Sequence, residues 1–265
     1  MNNVELLAPA GNFSKLKTAL YFGADAAYLG GKEFSLRSFA DNFSREELVS
    51  AVKYAHALGK KVYVTVNIYA KNADLAPMED YFSFLQEAGA DAALISDPGV
   101  LAAAKKCAPG LPVHISTQAN ITNKYAVKFW REQGASRTVL ARELSLAEIA
   151  EIHAYVPDIE LEAFVHGAMC ISYSGRCLLS DYLTGRPSNR GECAQACRWN
   201  YSIRKNDDKS DSGWLGLEED ERGAYILNSK DLNMSAHLKE MSEAGVYSFK
   251  IEGRMKSEYY LATVI

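Results

Sequence analysis

The sequence predicts an α/β fold, a TIM-type (β/α)8 barrel, and three observations predict it. A unit recurs along the chain: an amphipathic helical stretch, a small residue and a glycine, then a short apolar run. Eight such runs are present, with helical stretches between them. The length, 265 residues, suits one large α/β barrel or two smaller domains. An apolar run bounded by turn residues suits a strand buried on both faces of a parallel sheet. The glycine falls where a helix ends in a left-handed cap. Strand order is not written in the sequence, so an open doubly wound sheet is the alternative.

In order, VELLAPA (4–10) supplies the first strand and YFGADAAYLGG (21–31) carries the cap glycine and the second. The third, fourth and fifth follow in ALGKKVYVTVN (57–67), EAGADAALISD (87–97) and LPVHIST (111–117). EQGASRTVLAR (132–142) gives the sixth and IELEAFVHG (159–167) the seventh. The repeat then breaks. An insertion at 168–224 delays the last unit, EAGVYSFKIEG (243–253). Within it NYSIRK and GAYILNS read as a hairpin joined by the polar stretch Asn206–Arg222. KSEYYLATVI reads as the start of the last helix, so that helix is expected to be incomplete and the chain to be part of a longer one.

The composition, 48% hydrophobic and 23% charged, is ordinary for a globular chain. MNNVELLAPAGN lacks the basic start and long apolar core of a signal peptide. No apolar run approaches the roughly 20 residues that cross a bilayer. A cytoplasmic location is expected, where clustered cysteines hold metal more often than disulfides. Net charge is −4, so the whole molecule has no general attraction to nucleic acid. The cysteine segment 176–205 differs: there Arg176, Arg186, Arg190, Arg198, Arg204 and Lys205 outnumber Asp181 and Glu192, a local basic surface that could meet phosphate or be a solvated face.

The insertion contains four of the five cysteines, as Cys170-x6-Cys177-x15-Cys193-x3-Cys197. Four thiolates complete the coordination of zinc or an iron–sulfur cluster. Zinc knuckles bring ligands in C-x2-4-C pairs, which only Cys193 and Cys197 satisfy, whereas clusters tolerate irregular spacing; the spacing favours a cluster. Cys107 reads as a small buried hydrophobe.

The loops after barrel strands carry the chemistry. Here they hold Gly11 and Asn12; Gly30, Gly31 and Arg37; Asn67; Asp97; Ser116, Thr117, Gln118 and Asn120; Arg142 and Glu143; His166; and Glu252, Gly253 and Arg254. Arg37, Arg142 and Arg254 are the candidates to hold an anionic small molecule through its carboxylates. The competing reading pairs each with an acid, as Arg142 with Glu143 or Glu252. His166, Arg142 and Glu252 are the candidate catalytic groups, His166 as an acid/base or a support for the cysteines. His56 and His153 are expected on the surface and His114 in the core or inner lining.

The run Glu162-x-Phe164-x2-Gly167-Ala-Met-Cys170-x4-Gly175-x-Cys177-x-Leu179-Ser180 resembles the signature of the collagenase-like peptidase family U32. LLAPAGN, GADAAYLGG, NRGECAQACRWNY, LNSKDL and SFKIEGRMKSEYY extend the likeness over nearly the whole chain. It is strongest to the branch of bacterial tRNA hydroxylation proteins. That resemblance implies formation of 5-hydroxyuridine at the tRNA wobble position, without molecular oxygen and with prephenate as hydroxyl source. It implies a 4Fe-4S cluster on Cys170, Cys177, Cys193 and Cys197, with zinc the less favoured occupant. Some relatives place a cysteine where this chain has Asn233; the resemblance then makes Cys197 the most natural fourth ligand and leaves that position open. Expected partners are tRNA, a small dicarboxylate, and a second family member or an electron donor; no membrane is expected. Relatives acting on ribosomal RNA cytidine or quinone precursors, and the peptidase label, define the alternatives. The peptidase has little support, since the chain lacks H-E-x-x-H and G-x-S-x-G and a metal-bound Cys170 is no nucleophile. Family members are longer, with a β-rich C-terminal extension.

Overall fold

The computed structural model describes residues 4–37, 40–170, 172–199, 219–220, 223–224 and 231–265. Eight parallel strands close into a barrel: β1 (Glu5–Ala10), β2 (Ala26–Gly30), β3 (Lys61–Thr65), β4 (Ala92–Ile95), β5 (Val113–Ile115), β6 (Arg137–Val139), β7 (Glu160–Gly167) and β8 (Val246–Ile251). Each pairs with the next, and β8 returns to β1. The open sheet is thereby excluded. Between them run α1 (Phe13–Tyr21), α2 (Arg45–Ala57), α3 (Asn72–Glu87), α4 (Pro98–Cys107), α5 (Lys124–Glu132) and α6 (Leu146–Tyr155). α7 (Leu179–Thr184) lies in the insertion, α8 (Leu238–Glu243) precedes β8, and α9 (Glu258–Val264) follows it.

The repeat works as its residues dictate. Gly23, Gly59, Gly89, Gly134 and Gly245 all take positive φ, 68° to 119°, where the chain leaves a helix for the next strand. Ser44 and Ser145 start α2 and α6 with capping boxes closed by Glu47 and Glu148. Asn12 and Asp97, both counted among the rim candidates, serve as N-caps of α1 and α4. Of the predicted hairpin only Gly223–Ala224 is described, paired antiparallel with Glu219–Asp220; the rest lies outside the described residues. Leu232–Asn233 adds an antiparallel pair to the end of β7, opposite Gly167 and His166.

Two cores result. One fills the space between sheet and helices, with Leu16, Leu48, Phe82 and Leu85 among its fully buried members. The other lies inside the barrel, where Leu7, Ala26, Tyr28, Tyr63, Ala92 and Leu94 line the β1–β4 half. The β5–β8 half of the interior is polar. Arg137, 1% exposed, donates to Glu5 at 2.6 Å and lies 3.2 Å from Glu162 and 2.6 Å from Glu160. Lys250 reaches Glu162 at 2.6 Å. Burial would lower the pKa of Arg137, but Glu162 and Glu5 outweigh it and raise it above its usual value.

His114, on β5, is the buried inner residue expected of it. Its ring packs edge-on against Tyr63 at 4.7 Å, and its Nδ1 has no hydrogen-bond partner. Burial, then the charges of Arg137, Lys250 and Lys61, push its pKa well below 6.5. The unfolded chain therefore binds a proton that the folded chain refuses, and stability falls as pH drops below about 6.5. The loss from this one group is at most ~1.4 kcal/mol per pH unit. Urea denaturation of wild type and His114→Phe between pH 7 and 5 should show a shallower loss in the variant; parallel curves would refute it. His153 departs from expectation, because its ring lies partly buried against Gly245 with Nδ1 unpartnered. His56 is a surface group paired with Asp91 at 2.9 Å. Cys107 packs, partly buried, at the edge of the outer core.

Candidate active site at the mouth of the barrel

The insertion leaves β7 at Gly167 and folds over the C-terminal end of the barrel. Three anchors hold it there. Arg142, after β6, donates Nη1 to the carbonyl of Ala168 at 2.8 Å and Nη2 to Ser174 Oγ at 2.7 Å. Arg190 forms a two-pronged pair with Asp74, at 2.9 and 3.2 Å, and donates to the carbonyl of Tyr69. The backbone N–H of Tyr69 donates to the carbonyl of Asn189 at 3.0 Å. Bidentate guanidinium–carboxylate geometry fixes orientation as well as distance.

Under this cover lies a cavity of about 120 Å3. Cys170, Cys177 and Cys193 line it from the insertion, and Arg37, Arg142, Glu252 and Arg254 from the strand ends. Tyr28, Phe164 and Lys250 contribute from the strands themselves. A larger space of about 770 Å3 opens at the opposite end of the barrel, but its Arg137 and Glu160 already neutralise each other.

Among the described residues none of the four clustered cysteines is joined in a disulfide. The Cys197 thiol is pushed up by burial, countered by Arg198, and raised further by Cys193, Cys170 and Cys177; all four sulfurs thus share one electrostatic neighbourhood. Two of them accept backbone N–H groups two residues on: Leu179 N to Cys177 Sγ and Gln195 N to Cys193 Sγ, each at 3.4 Å. Such N–H···S bonds orient the sulfurs and tune a sulfur-ligated centre. Among the described residues no three His, Cys, Asp or Glu side chains are grouped to grip a single metal ion. The donor chemistry, four soft sulfurs without a disulfide, fits a thiophilic centre.

The arginines divide by partner. Arg142 is spent on the insertion, and neither Glu143 nor Glu252 is its hydrogen-bond partner. Arg254 is buried, and its partners among the described residues are neutral oxygens: Ser35 Oγ at 2.8 Å, Thr65 Oγ1 at 3.3 Å and the carbonyl of Leu36. Burial pushes its pKa down to about 10, against the pull of Tyr28 and Glu252. Arg37 sits at φ 69°, a left-handed conformation that costs a side-chain-bearing residue about 1 kcal/mol. Its guanidinium meets Glu252 loosely, at 3.8 Å, with a third of the side chain exposed. Desolvation opposes its charge, but Glu252 and then Cys170 and Cys193 raise its pKa. Of the three, Arg37 has the pairing that an incoming carboxylate can most readily replace.

His166 is turned out of the cavity. Its Nδ1 meets the Tyr260 hydroxyl at 3.0 Å, and that hydroxyl donates to the carbonyl of Glu252. A bulge is the reason: Lys250 pairs with Phe164 but Ile251 with His166, so the extra Val165 moves His166 to the outward side. It positions the backbone of Glu252 instead of facing Cys170. Lys250, absent from the candidates above, lies on the cavity floor with Nζ 4.4 Å from the centre of the Tyr28 ring. The period-two series Ser248, Lys250, Glu252 is the signal that marks it as inward-facing.

Gly30 ends β2 against this cluster. A β-carbon there would overlap Arg254 Nη1 and Ser35 Oγ. Gly30→Ala should displace the guanidinium and cost about 1–3 kcal/mol, read as a lower urea midpoint; an unchanged midpoint would contradict this packing.

The chain matches the model of peptidase family U32 over residues 11–265 and belongs to that family. It is 48% identical over 261 residues to tRNA hydroxylation protein P1 of Bacillus subtilis (strain 168), covering 98% of this chain and 61% of that one. It is 38% identical over 263 residues to a 23S rRNA 5-hydroxycytidine synthase of Escherichia coli (strain K12), covering 99% of this chain and 38% of the relative. The structure of the U32 peptidase Mk0906 superposes with a TM-score of 0.61 at 13% identity, covering 97% of this chain and 96% of that one, a likeness of fold. The chain thus spans about three fifths of the Bacillus relative's length. No helix among the described residues is long and apolar enough to cross a membrane.

Proposed function

We propose that this chain belongs to an enzyme that hydroxylates RNA without molecular oxygen. Its product is 5-hydroxyuridine at the tRNA wobble position, and prephenate is the hydroxyl donor. The observation that carries this reading is the cavity where three thiols of the four-cysteine cluster meet Arg37 and Lys250, in a chain 48% identical to a tRNA hydroxylation protein. Cys170, Cys177, Cys193 and Cys197 would hold a 4Fe-4S cluster. When bound, such a group supplies one-electron transfer that no side chain here provides.

The chain's own residues do the rest. Arg37 exchanges its loose contact with Glu252 for a carboxylate of the donor, and Lys250 adds positive charge from the floor. Arg254 keeps Leu36 and Thr65 in place beneath Arg37. Arg142 holds Ala168 and Ser174, and so the approach to Cys170. Glu252, released by Arg37, is the carboxylate placed to accept a proton. At uridine, C5–H becomes C5–OH, a two-electron oxidation, so the donor takes up two electrons as its own C–OH bond breaks.

Mass spectrometry of tRNA nucleosides from a deletion strain tests the reading. Loss of 5-hydroxyuridine derivatives, restored by the wild-type gene, is expected. An unchanged profile would refute it.

A further inference from the structure

Five of the fourteen large apolar or aromatic side chains exposed among the described residues fall between Tyr173 and Trp199. They are Tyr173 at 48%, Leu178 at 67%, Tyr182 at 86%, Leu183 at 42% and Trp199 at 43%. A single exposed aromatic needs no explanation, but a concentration around a cavity does. Tyr173 both lines the cavity and faces solvent. Leu178, which caps α7, and Tyr182 within it stand one helical turn apart, joined by the backbone bond from Tyr182 N to the carbonyl of Leu178. α7 packs on the turn Ala196–Arg198, which leads into Trp199. The aromatics therefore flank the segments that carry Cys177 and Cys197.

Basic groups are interleaved with them. Arg176 lies over the Tyr69 ring at 5.8 Å, and among the described residues Arg198 pairs loosely with Asp231 at 3.9 Å. Arg190, counted with the basic face of the insertion, is instead consumed by Asp74.

We propose that Tyr173, Tyr182 and Trp199 form a stacking platform for unpaired nucleotides of an RNA loop, which delivers one base to the cavity; this rests on the RNA-hydroxylation reading above. Flat aromatic side chains beside guanidinium groups suit bases and phosphates together, and recognition of RNA sequence relies on unstacked loop bases. A base held in a duplex cannot reach a covered cavity; one splayed from a loop can. Arg176 and Arg198, with their weak internal contacts, meet the loop's phosphates.

The test is binding of a short RNA hairpin with an unpaired loop, against a blunt duplex of the same stem. Wild-type protein should prefer the hairpin. Tyr182→Ala and Trp199→Ala should each weaken hairpin binding about tenfold and leave duplex binding and thermal midpoint unchanged, while Tyr182→Phe retains affinity. Equal hairpin affinity in the alanine variants would overturn the proposal, as would a change in their oligomeric state, which would assign the surface to a second copy. The same substitutions at the chromosomal locus separate the two readings. Full 5-hydroxyuridine in the variant strains, with hairpin binding intact, would sink the platform alone. An unchanged nucleoside profile on deletion would sink the hydroxylation reading and the platform with it.

Discussion

Replacing Arg137 with methionine is expected to destabilise the fold by about 3–5 kcal/mol, the cost of removing one partner from a buried ion cluster. Glu5 and Glu162 both lie within hydrogen-bond reach of this guanidinium inside the barrel. Glu162 keeps Lys250, but among the described residues Glu5 retains the Tyr63 and Ser248 hydroxyls and no cation. Burial opposes the charge of Glu5 in the native barrel, and Arg137, Tyr63 and Ser248 together hold its pKa below the usual value. Native stability from Glu5 is thus present above its unfolded pKa and lost as pH falls through its lower folded one. With Arg137 gone the shift reverses, because desolvation is no longer opposed by a cation. The variant then gains from protonation as pH falls below neutrality. The gap between wild type and Arg137→Met in urea should therefore narrow from pH 7 to pH 5. A constant gap would mean that Glu5 does not depend on Arg137.

The barrel was legible because its signals are local. Each cap glycine and the apolar run after it sit within about ten residues, and Gly23, Gly59, Gly89, Gly134 and Gly245 behave as their place in the repeat requires. The cysteines were legible for the same reason, as they crowd one insertion. The arginines were legible as rim residues but not as to their partners, which come from distant segments. Arg254 binds Ser35 and Thr65, and Arg142 binds Ser174. Neither pairing leaves a trace in spacing. His166 was misdirected by an irregularity of one residue, since strict alternation from Phe164 would have pointed it inward. Lys250 is readable in principle from the alternation of its strand, but it lies on the strand itself, whereas barrel chemistry usually gathers on the loops beyond.

The second large effect concerns the cysteines. Serine at Cys170, Cys177, Cys193 or Cys197 should each abolish tRNA 5-hydroxyuridine formation, at least about 100-fold below wild type, because a hard oxygen replaces a soft sulfur. The four variants should behave alike, and each should lose iron together with activity. All four lie at intermediate depth, so none is a fully buried core side chain. An asymmetric outcome, with Cys170 essential and the other three dispensable, would point to a nucleophile and revive the peptidase reading. Against that stands His166, whose Nδ1 is engaged by Tyr260.

The central claim is that four thiols at the barrel mouth hold an iron–sulfur cluster, and the direct measurement is the iron and acid-labile sulfide content of protein prepared anaerobically. About four of each per chain are predicted, falling together in each serine variant. Protein carrying neither iron nor sulfide, or carrying one zinc in their place, would contradict the account.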